Sequence, residues 1–253
     1  MPYTSINHPL GVPFIEINTV DSSNNYAVQQ VHKGLAEHGT AYFAYEQTAG
    51  KGQRGKLWVT KPGENIVLSV VLNTKGLQIS QQFDVSMAVS LSVFDLFIKY
   101  ALTDTCIKWP NDLYWCDRKA AGILIENLIY GKEWQWAIAG IGININQTVF
   151  DSGITHPVSL KQITGKSYDP VLLAKELCGC LEKRLKQLID KGGATLLAAY
   201  NNVLYKHNLP IKLKKDNAVF NCTLKEVNAF GQLVVQDTME RVFNVGDVEW
   251  VIA

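Results

Sequence analysis

The sequence of 253 residues lacks the features that direct a chain to a membrane or out of a cell. No run of apolar residues reaches the roughly 18 that a membrane-spanning helix needs. The N-terminal segment has no basic stretch followed by an apolar one, so no secretory signal is predicted. Five cysteines form no C-x-x-C pair. Reduced thiols in a cytoplasmic protein are the simplest interpretation.

The chain also lacks an excess of charge of one sign. Its 24 lysines and arginines balance 23 aspartates and glutamates, for a net charge of +1. Neither a nucleic acid nor an anionic membrane is therefore expected as a partner. The five histidines are scattered without an H-E-x-x-H pattern, so no structural zinc site is expected. A 47% hydrophobic content suits one large domain, or one domain with a small appendage.

Hydrophobic periodicity predicts an α+β protein. Strands are predicted at 14–20, 40–48, 65–72 and 105–110, and a β-meander at 111–145 with turns near Asp117 and Gly131. Helices are predicted at 21–39, with an apolar stripe that includes Leu35, and at 81–102. A further helix begins after Asp169 as N-cap and Pro170 at the first turn, and another runs to about His207.

The last 45 residues or so contain short strand patterns separated by turns, with no helical period. This change of character predicts a small β-barrel attached to the α+β domain. We therefore expect two domains, at 1–206 and 207–253.

Residues 50–59, GKGQRGKLWV, match three phosphate-binding patterns at once. A Walker loop needs Ser or Thr after its lysine and then a helix, but Leu57 follows Lys56. A dinucleotide fingerprint also needs a helix, which Pro62 and Gly63 prevent. A kinase loop lies between strands, but the chain has no V-A-I-K, H-R-D or D-F-G motif.

The composition of this loop still favours an anionic ligand. Gly50, Gly52 and Gly55 permit backbone conformations that turn several N–H groups toward one anion. Three cations accompany them: Lys51, Arg54 and Lys56. A solvated hairpin tip with basic side chains is the alternative.

Two later segments carry similar ambiguity. KWPNDLYWCDRKAAGILIE, at 108–126, surrounds a Pro-Asn-Asp turn with Lys108 and Lys119. It is either a plain β-turn or a site for a magnesium–phosphate group. GIGININ, at 140–146, allows close approach of a ligand, with Asn144 or Asn146 offering amide hydrogen bonds. The alternative is a buried strand whose glycines pack under a helix.

Together, QTAGKGQRGKLW, KWPNDLYWCDRKAAGILIE and GIGININ resemble the three signature stretches of biotin–protein ligases in order and rough spacing. DSSN at 21–24 and PVSLKQITG at 157–165 are similar to further stretches of that family, as is the small C-terminal β domain. The resemblance covers nearly the whole chain, and it is to the monofunctional bacterial type. It implies a mixed, largely antiparallel sheet backed by helices, followed by an SH3-like barrel.

The resemblance implies an ATP-dependent biotin–[acetyl-CoA-carboxylase] ligase. Such an enzyme forms biotinyl-5′-adenylate from biotin and ATP, with Mg²⁺, and releases pyrophosphate. It then transfers biotin to one lysine of a biotin carboxyl carrier protein or domain. Some relatives also repress transcription through an N-terminal DNA-binding domain. Only twenty residues precede DSSN here, so we expect no such domain and no nucleic-acid partner.

The resemblance also assigns site residues. Lys119, Arg54 and Asp112 are the implied catalytic residues, and Asp112 would also meet the Mg²⁺ that ATP carries. The implied biotin-binding residues are Ser22, Ser23, Asn24, Gln47, Gly50, Lys51, Gly52, Gln53, Lys119 and Gly122. The implied ATP- and adenylate-binding residues are Lys51, Arg54, Trp58, Lys108, Asn111, Asp112, Lys119, Gly142 and Asn144.

The chain departs from the family pattern in the loop. Lys51 stands where the family usually has Arg, and Gln53 where Arg is common. Lysine keeps the charge but loses the bidentate fork, and glutamine loses the charge. Two other functions therefore stay open: a lipoate or octanoate ligase of the same fold, whose R-R-x-S-G-G-type loop is absent, and a non-catalytic biotin-binding sensor. Trp58 is either an adenine contact or a core residue.

Overall fold

The computed structural model describes residues 9–151 and 156–252. Its strands in the first two hundred residues are β1 (Phe14–Val20), β2 (Ala41–Gln47), β3 (Ile66–Asn73), β4 (Thr105–Lys108), β5 (Asp112–Trp115), β6 (Arg118–Tyr130) and β7 (Glu133–Ile143). Its helices are α1 (Ser23–His32), α2 (Gln82–Ala101), α3 (Leu160–Thr164), α4 (Pro170–Lys191) and α5 (Gly193–Asn202). Two short 3-10 helices, Gln53–Gly55 and Ile79–Gln81, complete this part.

The seven strands form one sheet in the order β1-β2-β3-β7-β6-β5-β4. Only β1 and β2 are parallel, and the other pairs are antiparallel. Helices α2 and α4 pack together on one face, over a core that includes alternate residues of β3 such as Ile66, Leu68 and Val70. Helix α1 covers part of the other face through Ala27. The predicted α+β class is confirmed.

The C-terminal part is a second, five-stranded antiparallel sheet, as predicted. Its strands are β8 (Pro210–Lys215), β9 (Ala218–Val227), β10 (Leu233–Gln236), β11 (Glu240–Phe243) and β12 (Glu249–Trp250), in the order β11-β10-β9-β8-β12. It shares a continuous apolar core with the larger sheet. The Trp109 indole Nε1 donates to the backbone oxygen of Gly231 at 2.9 Å. The β5–β6 turn near Asp117 and the β6–β7 turn near Gly131 lie where the sequence predicted them.

Two helix ends were predicted wrongly. Helix α1 ends at His32 instead of Gly39, because Gly34 adopts a left-handed conformation (φ 68°) just beyond it. Leu35, assigned to the apolar stripe, is 68% exposed. Helix α5 ends at Asn202, and the chain then pairs with β4 through a bridge between Ile107 and Leu204. Backbone pairing with a strand edge replaces the last predicted helical turn.

Candidate active site

A cavity on the α1 face of the large sheet has a floor made of glycines. Gly122 of β6 and Gly140 and Gly142 of β7 point to the same face, because side chains alternate along a strand. Gly122 lies directly opposite Gly142 in the register. The missing side chains leave an open trough between these strands, α1 and the glycine-rich loop.

One end of the trough is polar and lies at the N-terminus of α1. Ser22 is the N-cap residue, yet its side chain makes no capping hydrogen bond. It is buried and lines the cavity. The Ser23 backbone N–H donates instead to Gln47 Oε1 at 2.7 Å. Helix capping therefore does not account for the Ser22 side chain, which lines the cavity.

The hydrogens at this end can be assigned. Ser69 Oγ lies 2.6 Å from Asn24 Oδ1 and 2.8 Å from Ser23 Oγ. A hydroxyl has one hydrogen and an amide oxygen can only accept, so Ser69 donates to Asn24. The Ser23 hydroxyl then donates its hydrogen to Ser69 Oγ, and the lone pairs of Ser23 Oγ stay available to accept. Gln47 Oε1 is used by Ser23, so the Gln47 amide directs its Nε2 donor elsewhere.

Asn24 is part of the wall and its amide is fully engaged. Its Nδ2 donates to Glu126 Oε2 at 2.8 Å and to the Leu124 carbonyl at 3.2 Å. The residue beneath Asn24 must be a glycine, because a Cβ at Gly140 would come within 2.4 Å of Asn24 Oδ1. Asn24 therefore shapes the pocket and anchors α1 to the sheet.

The glycine-rich loop closes over the trough as a small hairpin. Trp58 N–H donates to the Gly50 carbonyl at 2.9 Å, and Gly52 N–H donates to the Lys56 carbonyl at 2.7 Å. Gly50 is required for this closure, since a Cβ would come within 2.3 Å of the Trp58 carbonyl oxygen. The strand–loop–strand arrangement predicted for residues 50–59 is confirmed, because β2 precedes the loop and β3 follows it.

Trp58 lies on the glycine floor. Its ring lies over Gly142 and Gly122: a Cβ at Gly142 would come within 2.3 Å of the ring, and one at Gly122 within 3.1 Å. The Lys119 ammonium lies 5.7 Å from its ring centroid. Its indole Nε1 is buried and has no hydrogen-bond partner in the part of the chain that the structure describes. Trp58 is thus a cavity wall with a spare donor.

Lys119 and Asp112 form an ion pair beside the floor, with Lys119 Nζ 2.7 Å from Asp112 Oδ1. Both side chains are partly buried. Asp112 lies opposite Gly122 in the register of β5 and β6, which places its carboxylate beside the glycine floor. Asn144 supports the same strand: its Nδ2 donates to the carbonyls of Lys119 (3.3 Å) and Val158 (3.2 Å).

The predicted site residues divide into two groups by position. Those that line the cavity are Ser22, Ser23, Asn24, Gln47, Lys51, Gly52, Gln53, Trp58, Asn111, Lys119, Gly122 and Gly142. Those that stand behind it or to one side are Gly50, Arg54, Lys108, Asp112 and Asn144. The Arg54 guanidinium lies against Gly246, in the turn between β11 and β12, so clamping a phosphate would require it to move.

Lys108 was assigned to phosphate, but its ammonium lies between two aromatic rings. The centroids of Tyr114 and of Trp250, from β12, are each 5.0 Å from Nζ. The residue is only 9% exposed. Burial lowers the pKa of Lys108 to about 8, although Asp112 opposes the shift. In this position Lys108 links the β4–β5 hairpin to the C-terminal sheet.

We expect replacement of Lys108 by methionine to change how stability depends on pH. Between pH 8 and 10.5 the unfolded wild-type chain binds more protons at this lysine than the folded one, so the free energy of unfolding rises with pH. At 1.36 kcal/mol per pH unit, the rise is at most about 3 kcal/mol. Lys108→Met removes it, so the stability of the variant relative to wild type should be highest below pH 8.

Urea unfolding at neutral pH and near pH 10 measures this difference, and the exposed Lys166→Met provides the control. A stability difference between Lys108→Met and wild type that stays the same at both pH values would contradict the expectation.

Sequence reasoning missed several residues of this site. Leu124 and Glu126 share the face of Gly122, two and four positions further along β6, and Gly140 shares the face of Gly142. The two-residue alternation would have found all three. Ser69 is the one polar residue inside the apolar run of β3, which was a second usable signal.

The described residues contain no helix that is both long and apolar enough to cross a membrane. Within 9–151 and 156–252, no three His, Cys, Asp or Glu side chains are grouped as metal ligands. What the site does offer is a trough with a polar end and a cationic end. A trough of this kind is suited to a small, partly apolar molecule that carries a negative charge.

Comparison with known proteins makes the class specific. Residues 16–144 match the model of the Biotin/lipoate A/B protein ligase family, and the chain belongs to that family. It is 30% identical over 197 residues to the bifunctional ligase/repressor BirA of Escherichia coli K12, covering 77% of this chain and 60% of that protein. It is 29% identical over 228 residues to the biotin–[acetyl-CoA-carboxylase] ligase of Paracoccus denitrificans, covering 85% and 91%.

Among solved structures, the fold is similar to the Aquifex aeolicus biotin protein ligase in complex with biotin and ATP. The TM-score is 0.78 at 23% identity, over 94% of this chain and 98% of that one. A similarity at that identity supports the fold only. The predicted fold class is thereby confirmed, and the match of residues 16–144 confirms membership of the biotin/lipoate ligase family.

Proposed function

We propose that this protein is a biotin–protein ligase that activates biotin with ATP and transfers it to a lysine of a biotin carboxyl carrier protein. One observation carries the proposal: Lys119 lines the same cavity as the polar residues of α1 and the glycine-rich loop, and its ammonium lies close to Asp112 and to the Trp58 ring. An acid bound along the trough would present its carboxylate to this ammonium.

The polar end suits a ureido group. Gln47 Nε2 is a donor for a carbonyl oxygen, and the lone pairs of Ser23 are acceptors for an N–H. Apolar side chains, Val67 and Leu124 among them, line the trough between this end and Lys119. A bicyclic ring with one polar edge and an apolar body matches that distribution.

In the first step, an oxygen of the biotin carboxylate attacks the α-phosphorus of ATP. The bond from that phosphorus to the bridging oxygen breaks, and pyrophosphate leaves with the electron pair. Two anions must approach each other, so cations are required. Lys119 and Lys51 are the lining residues that can supply them. The unpartnered Trp58 Nε1 offers a hydrogen bond to the nucleotide.

Mg²⁺ would reach the site on the phosphates of ATP, where it neutralises charge. A single carboxylate, Asp112, stands close by, and it is already paired with Lys119. Asn111 lines the cavity beside it, but its Nδ2 donates to the Ile123 carbonyl at 2.6 Å. These residues would suit the orientation of a metal that the nucleotide carries, with Asp112 supplying a carboxylate.

In the second step, the neutral amine of the carrier lysine attacks the acyl carbon, and AMP leaves. The amine loses a proton as the amide forms, and its ordinary pKa of about 10.4 makes an acceptor useful. Asp112 is our candidate. The mixed anhydride is sensitive to water, and the loop at 50–58 is the segment that can shield it.

Pyrophosphate release tests the proposal. The purified protein is incubated with ATP and Mg²⁺ and with biotin, lipoate or octanoate in turn, with and without a biotin carrier domain. We expect release with biotin alone, and biotinylation of the carrier. Release with lipoate or octanoate instead would assign the protein to the sister activity. Biotin binding without any release would make it a sensor, and the proposal would be wrong.

A further inference from the structure

Glu126 connects two walls of the cavity, helix α1 and the glycine-rich loop. It is on β6, on the same face as Gly122, and its side chain is about one-third exposed. Its Oε2 accepts from Asn24 Nδ2 at 2.8 Å. Its Oε1 lies 3.8 Å from the ammonium of Lys51, in the glycine-rich loop. One carboxylate therefore contacts both α1 and the loop.

Helix α1 holds the loop a second time through Asn25. Lys51 Nζ donates to Asn25 Oδ1, while Asn25 Nδ2 donates to Asp21 Oδ2 at 2.6 Å. The Asn25 amide is thus oriented with its oxygen toward Lys51. This contact and the one from Glu126 converge on a single ammonium, which is the first cation of the loop.

We infer that Glu126 is a positioning residue that ties the glycine-rich loop to the N-terminus of α1 across the cavity. Through Asn24 it orients the polar α1 end of the trough, and through Lys51 it holds the loop over the cavity. Binding at the α1 end and ordering of the loop are therefore coupled. The coupling to ligand rests on the proposed function, whereas the tie between loop and helix does not.

The contact between Glu126 and Lys51 is especially important in this chain because of the other residues in the glycine-rich loop. Gln53 brings no charge, and Arg54 lies against Gly246. Lys51 is the charged loop residue that lines the cavity. A lysine forms a point contact, so its position depends on its partners more than that of a forked arginine would. Removing Glu126 leaves Lys51 with the Asn25 amide and the nearby charge of Asp21.

The test compares Glu126→Gln, Lys51→Gln and the double variant with Glu133→Gln as control. Glu133 is exposed and lies at the far end of the same β6–β7 hairpin. In ligand-free protein, amide hydrogen exchange of the segment 50–58 should be about tenfold faster in each single variant. The double variant should be no faster than the faster single variant, because both changes break one contact. Glu133→Gln should match wild type.

Calorimetric titration and steady-state kinetics form the second arm. Glu126→Gln should weaken biotin binding about tenfold and raise the KM for biotin similarly, while kcat at saturating biotin stays within about threefold. Biotin should slow amide hydrogen exchange in the segment 50–58 of wild type. It should slow exchange in the same segment of Glu126→Gln much less.

Unchanged loop exchange in Glu126→Gln, or additive effects in the double variant, would overturn the inference. Equal affinity of Glu126→Gln and wild type for biotin would overturn its functional half. If wild type binds no biotin, the proposed function fails, and the ligand-free exchange still decides the tie. Should Glu126→Gln fold poorly, Lys51→Gln tests the same contact from an exposed side chain.

Discussion

Replacing Lys119 by methionine is expected to lower the rate of biotin-dependent pyrophosphate release by about 10²- to 10³-fold, as the loss of one preorganised charge-stabilising group does in other enzymes. Methionine keeps an apolar stem against Trp58 and Gly122 but removes the ammonium. The carboxylate and the α-phosphate would then approach without the cation between them. Both kcat and kcat/KM should fall, because the charge matters most as the new bond forms.

The exposed Lys166→Met serves as the matched control and should retain wild-type activity. Removing Lys119 also leaves Asp112 without its ion-pair partner. The double variant Lys119→Met with Asp112→Asn separates that effect, and it should be as slow as the single variant. Activity of Lys119→Met within threefold of wild type would exclude Lys119 from the adenylation step.

The second large effect is expected at the floor of the trough. A Cβ at Gly142 would come within 2.3 Å of the Trp58 ring, and the methyl group would extend into the cavity. Gly142→Ala must therefore displace Trp58 and, with it, the closure of the loop at Gly50. We expect kcat/KM for biotin activation to fall by about 10²-fold, because misplacement by roughly 1 Å has effects of that size.

Stability should change far less than activity in this variant. Overpacking costs roughly 1–3 kcal/mol when neighbours must shift, so Gly142→Ala should still fold. Gly179→Ala, in the middle of α4, is the control: no heavy atom lies within 4 Å of its added Cβ. It should raise the free energy of unfolding by about 0.5–1 kcal/mol and leave activity unchanged. Wild-type kcat/KM in Gly142→Ala would show that the floor is not used by substrate.

Much of the fold could be predicted from local patterns. The strand at 14–20 and the caps of α4 at Asp169 and Pro170 were located correctly, because alternation and capping are short-range effects. The end of α1 could not be located in this way. It depends on Gly34 taking a left-handed conformation, whereas the sequence pattern predicted a helix that continues to Gly39.

The site residues could likewise be predicted only in part from the sequence. The motif residues that line the trough could be named from the resemblance, and the family was confirmed by comparison. The surroundings of Lys108 could not be foreseen, because Trp250 reaches it from 142 positions further along the chain. Arg54 is a similar case, since its neighbour Gly246 lies in the turn between β11 and β12.

The sequence by itself determined the elements, the family and the chemical character of the loop, because these depend on residue type at short spacing. The tertiary structure decided which charges meet. Lys119 pairs with Asp112, Lys51 with Glu126, and Lys108 with aromatic rings. Strand register and the packing of two sheets set these distances. Electrostatic interactions depend on distance and burial, which no local pattern encodes.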